Sequence, residues 1–257
     1  MNIKKLTALL LAAVMVLSLA ACSKQGDDTK TQAGTGSYSA DAAFPFTDSA
    51  ITATGEGSGY EIDGTHITIE ASGTYLLSGE CSDNGSAENA VIKCKDGSQV
   101  TICGTGTLNI TANGKNGIKS GATTDEEGEA SLIIKELTLN ISAPVNDAIN
   151  AQQLLNIESG TLSIAAGDDS VHSDLVLNIG SEGTEGPTIS IAECCEGLEA
   201  SELNVLSGDI TILSSDDCMN AANSDLGNYD FVINISGGTV VVWTARRKYG
   251  RYAASIR

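Results

Sequence analysis

The chain has 257 residues, enough for one or two domains, with 4% aromatic residues, 28 glycines and a formal charge of −19. The charge is unevenly placed: residues 23–245 hold all 33 acids against seven lysines, a net −26, while residues 246–257 carry +5. A body this acidic excludes attraction to nucleic acid or anionic lipid and favours cations.

The chain begins with an export address. Lys4 and Lys5 precede an apolar run from Leu6 to Ala21, too short for a confident membrane span. The run ends in Leu19-Ala20-Ala21-Cys22, which also fits the bacterial lipobox. Residues 1–21 are therefore expected to be a lipoprotein signal peptide, with a lipid on Cys22 holding the protein to the outer face of the bacterial membrane. Residues 22–45, poor in apolar side chains, read as a flexible tether. The expected globular body is 46–243.

Residues 62–70 alternate, with Ile67 and Ile69 on one face and His66, Thr68 and Glu70 on the other, as in one half-exposed strand. His66 reads as a solvated strand residue. The segments 73–77 and 90–92 continue a rhythm of strands bounded by Gly, Asn, Asp or Ser. From Gln99 the rhythm becomes regular. One set of strands recurs at 106–110, 160–164, 187–191, 208–212 and 238–242, and a second at 132–134, 154–157, 175–179, 203–205 and 231–235.

A hexapeptide lies between these strands. Its clear copies are Asp168-Asp169-Ser170-Val171-His172-Ser173, Cys195-Glu196-Gly197-Leu198-Glu199-Ala200 and Asp216-Asp217-Cys218-Met219-Asn220-Ala221. Weaker copies are Lys115-Asn116-Gly117-Ile118-Lys119-Ser120 and Asn146-Asp147-Ala148-Ile149-Asn150-Ala151. Their second residues are spaced by 31, 22, 27 and 21 positions. Repeats of this length without helical periodicity indicate a β-solenoid. The expected fold is all-β, a single-stranded right-handed parallel β-helix with three short strands per turn. A sandwich or barrel would not require the same acidic hexapeptide in each unit.

The last segment, 244–257, departs from the pattern, and all four arginines, at 246, 247, 251 and 257, lie in it. It reads either as a basic cap or as the out-of-frame end of a truncated solenoid, which would leave the last rung as an open edge. Besides Cys22 there are Cys81, Cys94, Cys103, Cys194, Cys195 and Cys218. Six cysteines in an exported protein permit three disulfides, but no zinc spacing appears. Cys195 and Cys218 fall on adjacent rungs, either as stacked thiols or as a bridge.

Equivalent positions on successive rungs lie ~4.8 Å apart. Ile118, Ile149, Val171, Leu198 and Met219 are then one interior ladder, and the polar residues beside them stack too. Two carboxylates at that spacing repel by roughly 3 kcal/mol at an effective dielectric of 20. Calcium resolves such a conflict, because its six to eight oxygen ligands can come from both rungs. Asp168, Asp169, Glu196, Glu199, Asp216 and Asp217 are the candidate ligands, with Asp147 and Asn220 as further oxygen donors. His172 is a poor partner for a hard ion and reads as a ladder neighbour. Solvated turn acids are the alternative reading.

The three clear copies, at 168–172, 196–200 and 216–221, resemble the rungs of bacterial surface proteins described as carbohydrate-binding domain-containing proteins. The likeness covers roughly 61–242, with Ala148, Ser170 and Cys218 where that family usually has Gly. It implies a right-handed parallel β-helix, bound calcium, a shape similar to pectate-type lyases and binding of cellulose or acidic plant polysaccharide. The function expected is therefore a noncatalytic, lipid-anchored surface protein that binds an acidic polysaccharide through calcium, since few aromatics are present to stack on neutral sugars. A calcium-assisted lyase is the enzymatic alternative, with Lys119 as base and Lys115 close by. A paired-carboxylate glycosidase is also compatible with the many acids. A surface adhesin or spacer with a protein ligand is the remaining alternative. Ser/His/Asp hydrolysis has no motif to support it.

Overall fold

In a computed structural model the residues described are 42–47, 50–51, 59–63, 66–82, 89–122, 130–244 and 252–256. The expected signal peptide, Cys22 and most of the tether lie outside them. Among the described residues every regular element is a strand.

The chain winds into a β-solenoid of about 6 turns. Its strands fall into three parallel columns. The first contains the short segments His66–Ile69, Ile92–Cys94, Ile118–Ser120, Ile149–Ala151, the start of Val171–Ile179, the start of Leu198–Val205, and Met219–Ala221. The second runs through Gln99–Cys103, Ser131–Lys135, Leu154–Ile157 and on to Val232–Ile235. The third runs from Thr107–Thr111 through Thr138–Ala143 and Thr161–Ala166 to Thr239–Thr244. Each hexapeptide carries the chain from the third column into the first.

The alternation of a strand decides what faces inward. Ile92, Ile118, Ile149, Val171, Leu198 and Met219 are in direct register, and all but Met219 are fully buried. The third column supplies the ladder Leu108, Leu139, Leu162, Ile189, Ile210, Val240, also buried. Each inward residue thus packs against its own kind above and below, which gives close packing with few aromatics. Outside the second column Asn178 donates to Asn156, Asn204 to Asn178 and Asn234 to Asn204, at 2.8–2.9 Å. Such amide ladders fix the register of stacked strands.

Gly197 shows why the hexapeptide has a small third residue. A Cβ there would run into the backbone carbonyl of Cys218 and stand 2.6 Å from Ile212 Cγ2. The rungs meet too closely at this corner for a large side chain.

Several expectations change at the ends. Residues 60–69 form two strands, Tyr60–Asp63 and His66–Ile69, paired antiparallel, rather than one continuous strand. A backbone reversal brings Ile62 opposite Ile67, and the second strand of the hairpin pairs in parallel with Ile92–Cys94. Ala42–Thr47 pairs parallel with residues 75–79, so regular structure begins inside the stretch read as a tether. At the other end Tyr252–Ile256 lies antiparallel to Thr239–Thr244, so this sheet of the last rung has a partner rather than an open edge. The cysteines Cys81, Cys94, Cys103, Cys194, Cys195 and Cys218 are all free thiols. The Cys218 thiol is satisfied by the Trp243 carbonyl at 3.2 Å and the Ser214 hydroxyl at 3.1 Å.

Candidate functional site

The fifth residue of each hexapeptide points out of the first column, because it follows the buried fourth. Register places Thr68, Lys93, Lys119, Asn150, His172, Glu199 and Asn220 in one outward row. Lys93 belongs to a further copy, Asn89-Ala90-Val91-Ile92-Lys93-Cys94, which lacks the acids and reads in the sequence only as a strand. The row is basic at one end and acidic at the other.

The second residues form a parallel row of their own, in which Asn116 and Asp147 are buried and Asp147 is the buried acid. Its Oδ2 accepts from Asn116 Nδ2 at 3.1 Å and Asn150 Nδ2 at 2.7 Å, and its Oδ1 from the Asp169 amide at 3.2 Å. Burial pushes its pKa up, and the bonds from Asn150 and Asp169 work against that rise. Both oxygens are thus engaged in joining three rungs. Asp147 is a brace.

One rung further on, the carboxylates converge around His172. Its Nδ1 lies 3.0 Å from Asp169 Oδ2 and 3.8 Å from Glu199 Oε1, while its Nε2 lies 2.9 Å from Asp174 Oδ1. One ligand atom from each of Asp169, His172 and Glu199 lies within 4.8 Å of the others. All three side chains are half-buried. Glu196 hydrogen-bonds Glu199, and Asn220 Nδ2 bridges Glu196 Oε2 at 2.8 Å and Glu199 Oε2 at 3.1 Å.

The electrostatics follow from this crowding. Burial, the bond to Glu196 and the charges of Glu196 and Asp169 push Glu199 up to about 8. Burial opposes charge on His172, but its bonds to Asp169 and Asp174 and the charges of Asp169 and Glu199 prevail and push it up to about 10. At neutral pH the imidazolium is therefore a cation already seated among the acids. Asp168, more exposed, is pushed up by partial burial and by the charges of Asp169 and Glu196. Thus Asp168, Asp169, Glu196 and Glu199 are brought together. Asp216 and Asp217 lie exposed on the next rung, where the Asp216 carbonyl accepts from Thr244 Oγ1 at 2.8 Å.

Sequence reasoning missed His172 and Asp174 as members of the cluster. The available signal was spacing: His172 follows Asp169 by three positions and shares its row with Glu199 across one rung. The donor set suits a divalent ion held by two carboxylates and an imidazole. Asp174 behind Nε2 would fix the ring so that Nδ1 faces the ion.

Lys119 lies at the other end of the row. With Lys93, Lys115, Asn89, Asn146 and Asp96 it lines a cleft of about 380 Å³. Among the described residues no carboxylate is paired with Lys119, whereas Lys95 pairs with Glu70 at 2.7 Å and Lys135 with Glu158 at 3.5 Å.

Solenoid geometry, an external polar row and a carboxylate–imidazole cluster define a repeat protein with a lengthwise polar face. Comparison with known proteins gives this class a family counterpart. Residues 82–178 match the model of the family described as "Carbohydrate-binding domain-containing protein". The matched segment contains the hexapeptides at 115–120, 146–151 and 168–173; of the three motifs that carry the resemblance it includes the one at 168–173, while those at 195–200 and 216–221 lie beyond it. No curated protein and no solved structure matches the chain.

Proposed function

We propose that this protein is a noncatalytic polysaccharide-binding module, held on the outer face of a bacterial membrane by a lipid on Cys22. The observation that carries the reading is the family match over residues 82–178. The fold supports it, because a solenoid presents one long face along which a polymer can lie, with hydrogen-bonding groups repeated at ~4.8 Å. The preferred ligand is an acidic glycan.

A divalent cation is part of the proposal. Asp168, Asp169, Glu196 and Glu199 together offer enough oxygens for calcium, which takes six to eight. Calcium at the exposed Asp168 and the neighbouring Glu196 would stabilise adjacent rungs and offer open coordination positions to a sugar carboxylate. The position among Asp169, His172 and Glu199 has a nitrogen donor and suits a softer ion of the zinc class better.

The test is retention of the full chain on insoluble cellulose and on polygalacturonate, with calcium and with chelator. Expected is calcium-enhanced retention on polygalacturonate, with no rise in ultraviolet absorbance from unsaturated product. Retention on neither polymer would sink the proposal. An absorbance rise that Lys119→Ala abolishes would establish the lyase reading instead.

A further inference from the structure

We infer that the cleft bounded by Lys93, Lys115 and Lys119 is a binding subsite for the carboxylate of a uronic acid residue, engaged by the lysines directly and without a bridging cation. The inference rests on the polysaccharide-binding reading and assigns it a place on the surface. Of the five described lysines, three line this one cleft, in a body whose net charge is −26. Lys93 and Lys119 are in direct register on adjacent rungs, so their stems start ~4.8 Å apart. Two ammonium groups at that spacing repel by roughly 3 kcal/mol at an effective dielectric of 20.

Splaying of the long stems lessens that repulsion, but no ion pair among the described residues offsets it. The carboxylates farther along this face are relieved by His172 and Asn220, and the other two described lysines have their own acids. No described acid forms an ion pair with Lys93, Lys115 or Lys119. Asp96 is the one carboxylate among the lining residues, so the cleft is net positive within an acidic surface. An anion entering between Lys93 and Lys119 removes the conflict.

The rest of the lining selects a sugar rather than a bare anion. Asn146 gives its amide hydrogen to Asn116 Oδ1 at 2.7 Å, which leaves its own oxygen as an acceptor for a hydroxyl. Gln152 receives the Ala122 amide at 3.1 Å on its oxygen, which leaves its NH₂ as a donor. Point-charge ammoniums beside amide donors and acceptors match one carboxylate flanked by hydroxyls. The outward row continues from Lys119 to Asn150 and His172 on the following rungs, so a polymer can continue past the cleft.

The experiment is titration of the full chain with trigalacturonate and with its methyl ester, both in excess chelator, for the wild type, K93Q/K119Q and K93R/K119R. Wild type is expected to bind the acid about tenfold more tightly than the ester, K93Q/K119Q to lose about tenfold for the acid alone, and K93R/K119R to retain binding. Equal binding of acid and ester by the wild type overturns the inference, and that comparison needs no variant to fold. Unchanged affinity in K93Q/K119Q also overturns it. If the wild type ignores trigalacturonate but is retained on cellulose, the subsite falls and the polysaccharide-binding reading stands; retention on neither removes both.

Discussion

His172 and Glu199 stand directly opposite each other on adjacent rungs, with Nδ1 of the imidazole 3.8 Å from Oε1 of the carboxylate. The contact puts a cation of the protein's own inside a cluster whose acids would otherwise only repel. It also makes the cluster sensitive to pH and to metal.

Stability should fall as pH rises. Glu199 is pushed up to about 8 from 4.5, and His172 up to about 10 from 6.5. A raised folded pKa means stability that is complete below the unfolded value and lost as pH climbs through the folded one. The Glu199 part is lost between about 4.5 and 8, and the His172 part between about 6.5 and 10. Thermal melts in chelator should show the midpoint declining over both windows. E199Q should flatten the lower one and raise the midpoint at pH 8.

Metal preference should separate two kinds of donor. Zinc is expected to bind at Asp169, His172 and Glu199 with release of the Nδ1 proton, and D174N should weaken it about tenfold to a hundredfold by replacing the charged acceptor behind Nε2 with a weaker neutral one. Calcium affinity should change less in D174N, since calcium is placed at Asp168 and Glu196 and takes no ligand from the imidazole. Calorimetry in buffers of different ionisation heat reads affinity and proton release together. Equal losses for both ions would show that Asp174 acts only on the fold.

Removal of the Asp147 carboxylate should be costly without touching the metal. D147A leaves Asn116, Asn150 and the Asp169 amide without their acceptor in a buried setting, at an expected cost of about 3 kcal/mol. D147N, which keeps an acceptor, should cost less. Urea midpoints at constant slope would measure both.

The corner at Gly197 should reject a methyl group. G197A forces the Cys218 strand and Ile212 apart, with an expected loss of about 1–3 kcal/mol, visible as a lower thermal midpoint. A melt indistinguishable from wild type would mean that this corner gives way easily.

The thiols should be sluggish but titratable. Burial pushes Cys94 up to about 12 and Cys194 up to about 11, so a thiol reagent at pH 8 should label them only on unfolding. Reductant should leave the melting curve unchanged, because no described cysteine is bridged.

The sequence by itself determined the repeat, the class of fold and the interior ladder. Ile118, Ile149, Val171, Leu198 and Met219 can be read from spacing because each sits at the one constant aliphatic position between small and polar neighbours. It also placed Asp168, Asp169, Glu196 and Glu199 on one side, since alternation along a strand and stacking between rungs follow from local geometry. Only the tertiary structure decided how those side chains share the space. Whether Asp147 faces an ion or protein donors depends on more than its own rung: Asn150 is three residues on, but Asn116 comes from 31 residues back and the Asp169 amide from 22 residues ahead. His172 reads as a bystander until Asp174 is seen behind its ring and Glu199 across the rung. Lys93 falls outside the acidic pattern, and only the coil puts it in register with Lys119. A rung's own sequence fixes which way its side chains point, while what they meet is set by neighbouring turns whose spacing along the chain is irregular.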